Sequence, residues 1–236
     1  MTTPTPRLRL HGVTADRPAH PFPRRVVDDV SLTVAPGQLV ALMGPSGSGK
    51  TSLLQVASGL LAPTAGTVEV DGALADASDR KAWARRRRRT IGIVHQRLDL
   101  LPGLTVLDNV ALPLLLDRRP VREAHHRARA SLDRVGLGHL ADHSPTTLSG
   151  GERQRVAVAR AVVGERRLVL ADEPTAALDT AAAEGVVELL AELAAAGTSV
   201  LMATHDSRLA SWADRVVVLR DGRAVDAVTP APGSAP

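Results

Sequence analysis

Short apolar runs alternate with longer segments of helical periodicity along most of this chain. Continuous apolar runs at 39–43, 91–94, 168–171 and 199–203 predict buried strands, because a strand covered on both faces carries apolar residues at successive positions. The stretch 180–196, between the last two runs, predicts a helix. Strands that alternate with helices predict a parallel sheet with right-handed crossovers.

The two ends of the chain have a different pattern, typical of antiparallel strands. Residues 8–13 and 28–34 predict strands of a β-rich lobe, joined by a proline-rich loop at 17–23. Residues 66–72 alternate like an edge strand, and residues 220–228 predict a hairpin. Both of the last two segments contain the turn signal Asp-Gly.

A block of predicted helices interrupts the α/β pattern between the second and third apolar strands. Its helices are predicted at 106–116, 121–135 and 152–163. We therefore expect one domain with a helical insertion. Its predicted parts are an α/β core with its β lobe at 8–96 and 165–228, a helical subdomain at 97–164, and flexible tails at 1–7 and 229–236.

The amino-acid composition limits the type of core and excludes some kinds of site. Aromatic residues make up 1% of the chain, so the core must be aliphatic. No apolar run approaches the ~18 residues that indicate a transmembrane helix. The absence of cysteine excludes disulfides and thiolate metal sites. A cytoplasmic protein is the simplest expectation. Lysine occurs only at Lys50 and Lys81, although the chain has 29 basic residues.

Residues 44–51 carry the strongest chemical motif, GPSGSGKT, which follows a predicted strand and opens a predicted helix. Glycines in such a loop let successive backbone N–H groups point inward and hold phosphate oxygens, helped by the helix N-terminus. Lys50 is expected to reach the β and γ phosphates, and the Thr51 hydroxyl to bind Mg²⁺. The predicted nucleotide-binding residues here are Gly44, Pro45, Ser46, Gly47, Ser48, Gly49, Lys50, Thr51 and Ser52.

Two carboxylates end the apolar strand at 168–171. Asp172 lies where a parallel strand beside a phosphate loop presents a ligand for Mg²⁺. Glu173 is then the candidate general base that polarises the attacking water.

A second Ser/Gly-rich helix start lies at Leu148-Ser149-Gly150-Gly151-Glu152, 23 residues before the acidic pair when counted from Ser149 to Asp172. It is a second anion site in a chain that already has one. These residues resemble the LSGGQ signature of ABC (ATP-binding cassette) ATPases, with Glu152 in place of the usual glutamine. The resemblance extends over roughly 8–228.

The resemblance implies a P-loop NTPase (RecA-like) core that binds ATP and Mg²⁺. It implies a Q-loop glutamine at Gln96, a D-loop residue at Asp179 and a switch histidine at His205. Two copies would pack head to tail, with each ATP between the phosphate loop of one and Ser149, Gly150 and Gly151 of the other. The implied catalytic residues are Glu173, His205, Lys50 and Gln96, and the implied metal ligands are Thr51, Gln96 and Asp172.

The family usually stacks an aromatic residue of the first loop on adenine, and the chain departs from that pattern. The corresponding position is placed near Ala15, and the chain contains no tyrosine. Phe22, the only phenylalanine, is a candidate for the same role, and its alternative is to anchor the proline-rich loop.

Residues 94–114 resemble the Q-loop region of a bacterial branch that includes macrolide exporters, lipoprotein-release systems and the cell-division pair, known as mechanotransmitters. This implies a homodimer that powers a separate integral membrane permease, peripheral to the inner face of the cell membrane. The alternatives are a soluble ABC ATPase without a transport role, as in iron–sulfur assembly, and a regulatory cassette. The arginine run 85–89 predicts a solvated turn or helix face, or alternatively a contact with anionic lipid. A nucleic-acid partner is not expected, because no binding motif accompanies the charge.

Overall fold

A computed structural model describes residues 5–76 and 78–228 of the chain. The tails predicted at 1–7 and 229–236 fall mostly outside the described residues. Within them, Arg7 is tied to the lobe, since its backbone N–H donates to the Val34 carbonyl at 2.9 Å. Its guanidinium also pairs with Asp71 at 2.8 Å.

The first sheet is the predicted antiparallel β lobe. Its strands are β1 (Leu8–Arg17), β2 (Arg24–Val34), β4 (Ala65–Val70) and β5 (Ala73–Leu74), in the order β2-β1-β4-β5. The segment predicted as an edge strand is therefore internal, because the two-residue strand β5 pairs with its outer side. The predicted first strands also extend further, so that β1 and β2 form a long hairpin whose last pair is Arg17 with Arg24.

The second sheet is the predicted parallel core. Its strands are β3 (Leu39–Met43), β6 (Ile91–Val94), β7 (Leu168–Asp172), β8 (Ser199–Thr204), β9 (Arg215–Arg220) and β10 (Arg223–Val228), in the order β10-β9-β3-β8-β7-β6. Only β10 is antiparallel, and it pairs with β9 around the Asp-Gly turn at 221–222. Both turn residues have positive φ, as the tightest hairpin turns require.

Helices cover the parallel sheet. They are α1 (Lys50–Ala57), α2 (Arg80–Arg89), α3 (Val106–Leu116), α4 (Val121–Arg134), α5 (Gly150–Val162), α6 (Thr180–Ala195) and α7 (Ser207–Ala210), with short 3₁₀ turns at Gly138–Leu140 and Pro145–Thr147. The predicted insertion contains α3, α4 and α5. The arginine run is the second half of α2. No helix in the described part of the chain is long and apolar enough to cross a bilayer.

Successive side chains of β3 point to opposite faces of the parallel sheet and therefore pack against different layers of the fold. Leu39 and Ala41 pack with the helical side, whereas Val40 and Leu42 pack with α1 and the β lobe. The sheet therefore buries both faces, as its continuous apolar runs predict. The predicted α/β fold class, with an antiparallel lobe and a helical insertion, is confirmed.

Gly92 allows β6 to pack directly against α5, and its replacement by alanine is expected to destabilise the fold. A Cβ at Gly92 would lie 1.9 Å from the Ala161 carbonyl oxygen, so the strand and the helix would have to separate. Overpacking of this kind costs about 1–3 kcal/mol of unfolding free energy, measurable by urea denaturation. Gly103→Ala is the matched control, since a Cβ there meets nothing within 4 Å. Equal stability of the two variants would contradict the prediction.

Candidate nucleotide-binding and catalytic site

The phosphate loop, residues 44–51, joins the carboxyl end of β3 to the first turn of α1. It has no room for side chains at two of its glycines. A Cβ at Gly44 would lie 2.2 Å from the Leu219 carbonyl oxygen, and one at Gly49 would lie 2.4 Å from the Val26 carbonyl oxygen. Gly44 and Gly49 also have φ values of 151° and 106°, which favour glycine. The loop is therefore packed tightly between β9 and β2.

The β9–β10 turn fixes the loop from outside. The Gly222 N–H donates to the Ser48 carbonyl at 2.9 Å, and the Gly222 carbonyl accepts from the Asp28 N–H at 2.8 Å. One peptide group on each side of Gly222 thus connects the phosphate loop to β2. The loop is held by strands of both sheets before any nucleotide binds.

Lys50 lies inside the curl of the loop and is 7% exposed. Its ammonium donates to the carbonyls of Gly44 at 2.7 Å and Pro45 at 3.2 Å. It also lies 3.5 Å from Oε1 of Glu173. The only cation within the loop is thus positioned where an anion bound by the loop would meet it.

Asp172 ends β7 beside the first turn of α1. The Thr51 hydroxyl donates to its Oδ1 at 3.0 Å. Burial raises the pKa of Asp172, and the neighbouring Glu173 raises it further, while the hydrogen bond from Thr51 acts in the opposite direction. A buried carboxylate of this kind is stabilised in its charged form by a cation.

Glu173 is held in an uncommon conformation for a residue with a side chain, at φ 45°. Its N–H donates to the Ala203 carbonyl of β8 at 3.0 Å. Its Oε2 lies 2.8 Å from Nδ1 of His205, which follows β8. The carboxylate therefore lies between the Lys50 ammonium and the His205 ring.

These groups share one cavity of about 470 Å³. It brings together nine of the residues predicted from the sequence: Ser46, Gly47, Gly49, Lys50, Thr51, Ser52, Gln96, Glu173 and His205. Asp172 joins them through Thr51. The cavity is also lined by six residues that the sequence analysis did not single out: Arg24, Arg25, Val26, Ala176, Asp221 and Gly222. Phe22 does not line it and is 79% exposed.

The second helix start does not line this cavity either. Ser149 caps α5 through a reciprocal pair of bonds, in which Glu152 Oε2 accepts from the Ser149 N–H at 2.7 Å and Ser149 Oγ accepts from the Glu152 N–H at 3.3 Å. The bond from the Ser149 N–H lowers the pKa of Glu152. Gly150 and Gly151 follow without side chains, so only backbone is presented at the first two positions of α5.

The D-loop residue lies beside that helix start within the same chain. Asp179 caps α6 by accepting from the Ala182 N–H at 2.9 Å. A Cβ at Gly150 would lie 3.2 Å from Leu178, and one at Gly151 would lie 3.3 Å from Ala182. The signature and the D-loop thus form one surface, separate from the phosphate-loop cavity.

The family described as ABC transporter matches residues 27–176. Lipoprotein-releasing system ATP-binding proteins LolD from Pseudomonas fluorescens and Anaeromyxobacter dehalogenans are 47% and 48% identical to the chain, over 85% and 94% of it and over 88% and 93% of their own lengths. A macrolide export ATP-binding/permease protein MacB from Rhodospirillum rubrum is 42% identical over 98% of the chain, which spans 36% of that protein.

Solved structures give the same assignment. A dimeric bacterial ABC transporter cassette superimposes with a TM-score of 0.86 at 35% identity, over 95% of this chain and 99% of that one. A dimeric post-hydrolysis state of the same cassette, bound to ADP and Pi, matches with the same TM-score. The predicted P-loop NTPase fold is thereby confirmed. The chain belongs to the ABC transporter family and is an ATP-binding cassette that hydrolyses ATP.

Proposed function

We propose that two copies of the chain close head to tail around two ATP molecules and thereby drive a separate membrane permease. The observation that carries this proposal is the separation of the two anion-binding helix starts. The phosphate loop lines a cavity with Glu173 and His205, whereas Ser149, Gly150 and Gly151 lie on another surface of the same chain. A second copy can bring its signature to the open side of that cavity, and ATP then contacts both copies.

ATP supplies acceptors that compete with the loop carbonyls for Lys50. Lys50 now donates to two loop carbonyls and faces Glu173. The β and γ phosphates are stronger acceptors for an ammonium than neutral carbonyls, so Lys50 turns to them. The loop N–H groups and the α1 N-terminus complete the phosphate site.

The residues beside the loop fit Mg²⁺. A hydroxyl oxygen from Thr51 and a carboxylate oxygen from Asp172 lie 3.0 Å apart, and the amide of Gln96 lines the same cavity. Hard oxygen donors of these types suit Mg²⁺, which usually keeps several waters and also binds phosphates. The ion supplies charge neutralisation at the β and γ phosphates. Its presence also favours the ionised form of Asp172, whose pKa is otherwise raised.

Hydrolysis is assigned to Glu173 with help from Lys50 and His205. Once the γ-phosphate attracts Lys50 and His205, the carboxylate of Glu173 is free to accept a proton from the attacking water. The water oxygen bonds to the γ-phosphorus as the bond to ADP breaks, and Lys50 and His205 stabilise the charge on the phosphate oxygens. Loss of the γ-phosphate removes the contact that joins the two copies.

A groove next to Gln96 supports a protein partner. It is a cavity of about 490 Å³ between β6 and α3, and its wall includes His95 and Asp99, which flank Gln96. Leu116 in this wall is 64% exposed. A partner seated here would contact the same loop that senses the nucleotide. The remaining lining residues are Ala84, Arg87, Arg88, Ile91, Ile93, Leu112, Pro113, Arg160, Ala161 and Arg166.

The relatives are named for lipoprotein release and for macrolide export. We therefore assign the chain to the same mechanotransmitter branch, at the cytoplasmic face of the cell membrane and peripheral to it through the permease.

The arginine run of α2 is in part structural, since Arg87 donates to the carbonyls of Ser58 and Gly59.

The test uses a variant that traps the closed dimer. Glu173→Gln is expected to bind ATP and hydrolyse it slowly, so it serves as bait on detergent-solubilised membranes with ATP and Mg²⁺. We expect recovery of a polytopic membrane protein. Lys50→Ala is the control, because without the ammonium the ATP-dependent part of the capture should disappear. Recovery of soluble partners alone, with the bait still dimerising on ATP, would support a soluble ABC ATPase instead.

A further inference from the structure

The nucleotide cavity has two chemically different ends. Glu173, His205 and Gln96 lie at the hydrolytic end, where the γ-phosphate must be. The wall made by Arg24 and Val26 belongs to the β1–β2 hairpin instead. A nucleotide with its phosphates in the loop extends its base away from the hydrolytic residues. This hairpin wall is therefore the surface next to the base.

Arg17 is fixed beside that wall. It is the last residue of β1 and pairs with Arg24 of β2. Its Nε donates to Ser52 Oγ at 3.3 Å, and its Nη2 donates to Gln55 Oε1. Both acceptors lie on α1 directly after the phosphate loop. The guanidinium of Arg17 is thus held as a planar group beside Ser52, which lines the cavity.

Arg24 lines the cavity and is exposed. Within the described residues it makes no hydrogen bond or ion pair through its side chain. Its neighbour Arg25 differs, since Arg25 is held by Asp16 and Asp28. Arg24 is therefore free to turn over a bound base, beside the fixed Arg17 with which it pairs.

No phenylalanine or tryptophan side chain lines this cavity in the part of the chain that the structure describes. Phe22 does not line it and is 79% exposed. Ala15, the position expected from the sequence, is fully buried and pairs with Val27. Trp83 is the buried residue of α2, and Arg86 lies over its ring. The base must be held by something other than an aromatic ring.

We propose that the guanidinium groups of Arg17 and Arg24 hold the nucleotide base by stacking on its faces, and that the cassette therefore accepts ATP and GTP almost equally. This proposal rests on the proposed function of the phosphate loop. A guanidinium is planar and stacks on aromatic faces, and it does so on any purine. The Gln55 side-chain carbonyl beside Arg17 is already engaged by its guanidinium. Stacking on a purine face does not distinguish a 6-amino from a 6-oxo group.

The experiment measures dissociation constants for ATP, GTP and inorganic tripolyphosphate by calorimetry, with EDTA present to prevent hydrolysis. The main variant carries Arg17→Lys and Arg24→Lys, which keeps both charges and removes both planes. We expect it to bind ATP and GTP about fivefold more weakly than the wild type and to bind tripolyphosphate with unchanged affinity. The wild type is expected to bind ATP and GTP within about threefold of each other.

Two matched controls isolate the effect. Arg9→Lys changes an arginine of the same strand that pairs with Glu69 outside the cavity, and Phe22→Ala removes the exposed ring. Both are expected to leave all three affinities unchanged, and the thermal midpoint of the double variant shows that it is folded. Unchanged ATP binding by the double variant, an equal loss for tripolyphosphate, weaker ATP binding by Phe22→Ala, or a wild-type preference for ATP above about tenfold would each overturn the proposal.

The same assay separates this proposal from the function on which it rests. Lys50→Ala is expected to lose affinity for all three ligands, because the ammonium acts on phosphate alone. If the wild type bound none of them, the phosphate site itself would be refuted. If it bound them through Lys50 but without the two arginines, only the base contact would be refuted.

Discussion

Replacing Glu173 by glutamine is expected to slow ATP hydrolysis by about 10²–10⁴-fold, the usual contribution of a positioned general base. The substitution removes the only carboxylate that lies between Lys50 and His205 in this cavity. It also removes the negative charge that holds Lys50 3.5 Å away, so Lys50 is freer to meet phosphate. ATP affinity should therefore be retained or increased while the turnover rate falls.

Steady-state phosphate release and ATP binding by calorimetry test the two halves of this expectation. Glu69→Gln is the matched control, because it makes the same chemical change on β4, where the side chain pairs with Arg9. It should leave the rate unchanged. If Glu173→Gln retained more than about a tenth of the wild-type rate, the assignment of Glu173 as the general base would be wrong.

Mixing two inactive variants is expected to restore activity if the site is shared between copies. Lys50→Ala destroys the phosphate loop and leaves the signature intact. Gly150→Asp does the reverse, since a carboxylate at the start of α5 repels the γ-phosphate. That carboxylate suits a helix N-terminus, and its nearest neighbour is the flexible end of Leu178, so folding is preserved.

Each variant alone has two broken sites in its homodimer. A mixed dimer has one site with an intact loop from one copy and an intact signature from the other. With random pairing and independent sites, the mixture should recover about a quarter of the wild-type rate. Differently tagged copies should also co-purify only when ATP is present. Absence of both ATP-dependent pairing and activity in the mixture would contradict the head-to-tail arrangement.

The sequence predicts most accurately those elements in which the same residues carry both a backbone signal and a chemical motif. The helix α1 begins after the glycine-rich loop, as predicted, and the bounds of α3 agree with prediction, since Thr105 is an N-cap that accepts from the Asp108 N–H. The carboxylates Asp172 and Glu173 fall at a strand end because apolar runs define β7 closely. Local sequence alone fixes these features.

Features that depend on pairing were harder to predict. The strand β4 is internal because two residues of β5 cover it, and a two-residue strand has no periodicity to detect. The sequence analysis did not identify Arg17 as a site residue, because it assigned this residue to the proline-rich loop. In the structure the β1–β2 hairpin extends to Arg17 and so brings its side chain to α1. The pairing of Arg17 with Arg24 is the structural observation that identifies the wall proposed to lie beside the base.

The signature surface shows a different limit. Ser149 and Gly150 are recognisable in the sequence, yet in the single chain Ser149 caps α5, Gly150 lies beside Leu178, and neither lines the nucleotide cavity. In the proposed dimer, they contact the ATP that is bound in the phosphate loop of another copy. Neither sequence pattern nor the fold of one chain can display that contact directly.

The hydrogen bonds of Gly222 with Ser48 and Asp28 also determine when the phosphate loop is held in place during synthesis of the chain. The phosphate loop leaves the ribosome long before the β9–β10 hairpin that shapes its outer wall. A nascent chain that already exposes the loop therefore lacks the groups that hold it in a nucleotide-ready form. We therefore expect competence to bind ATP to arise late in synthesis, when the β9–β10 hairpin docks against the phosphate loop.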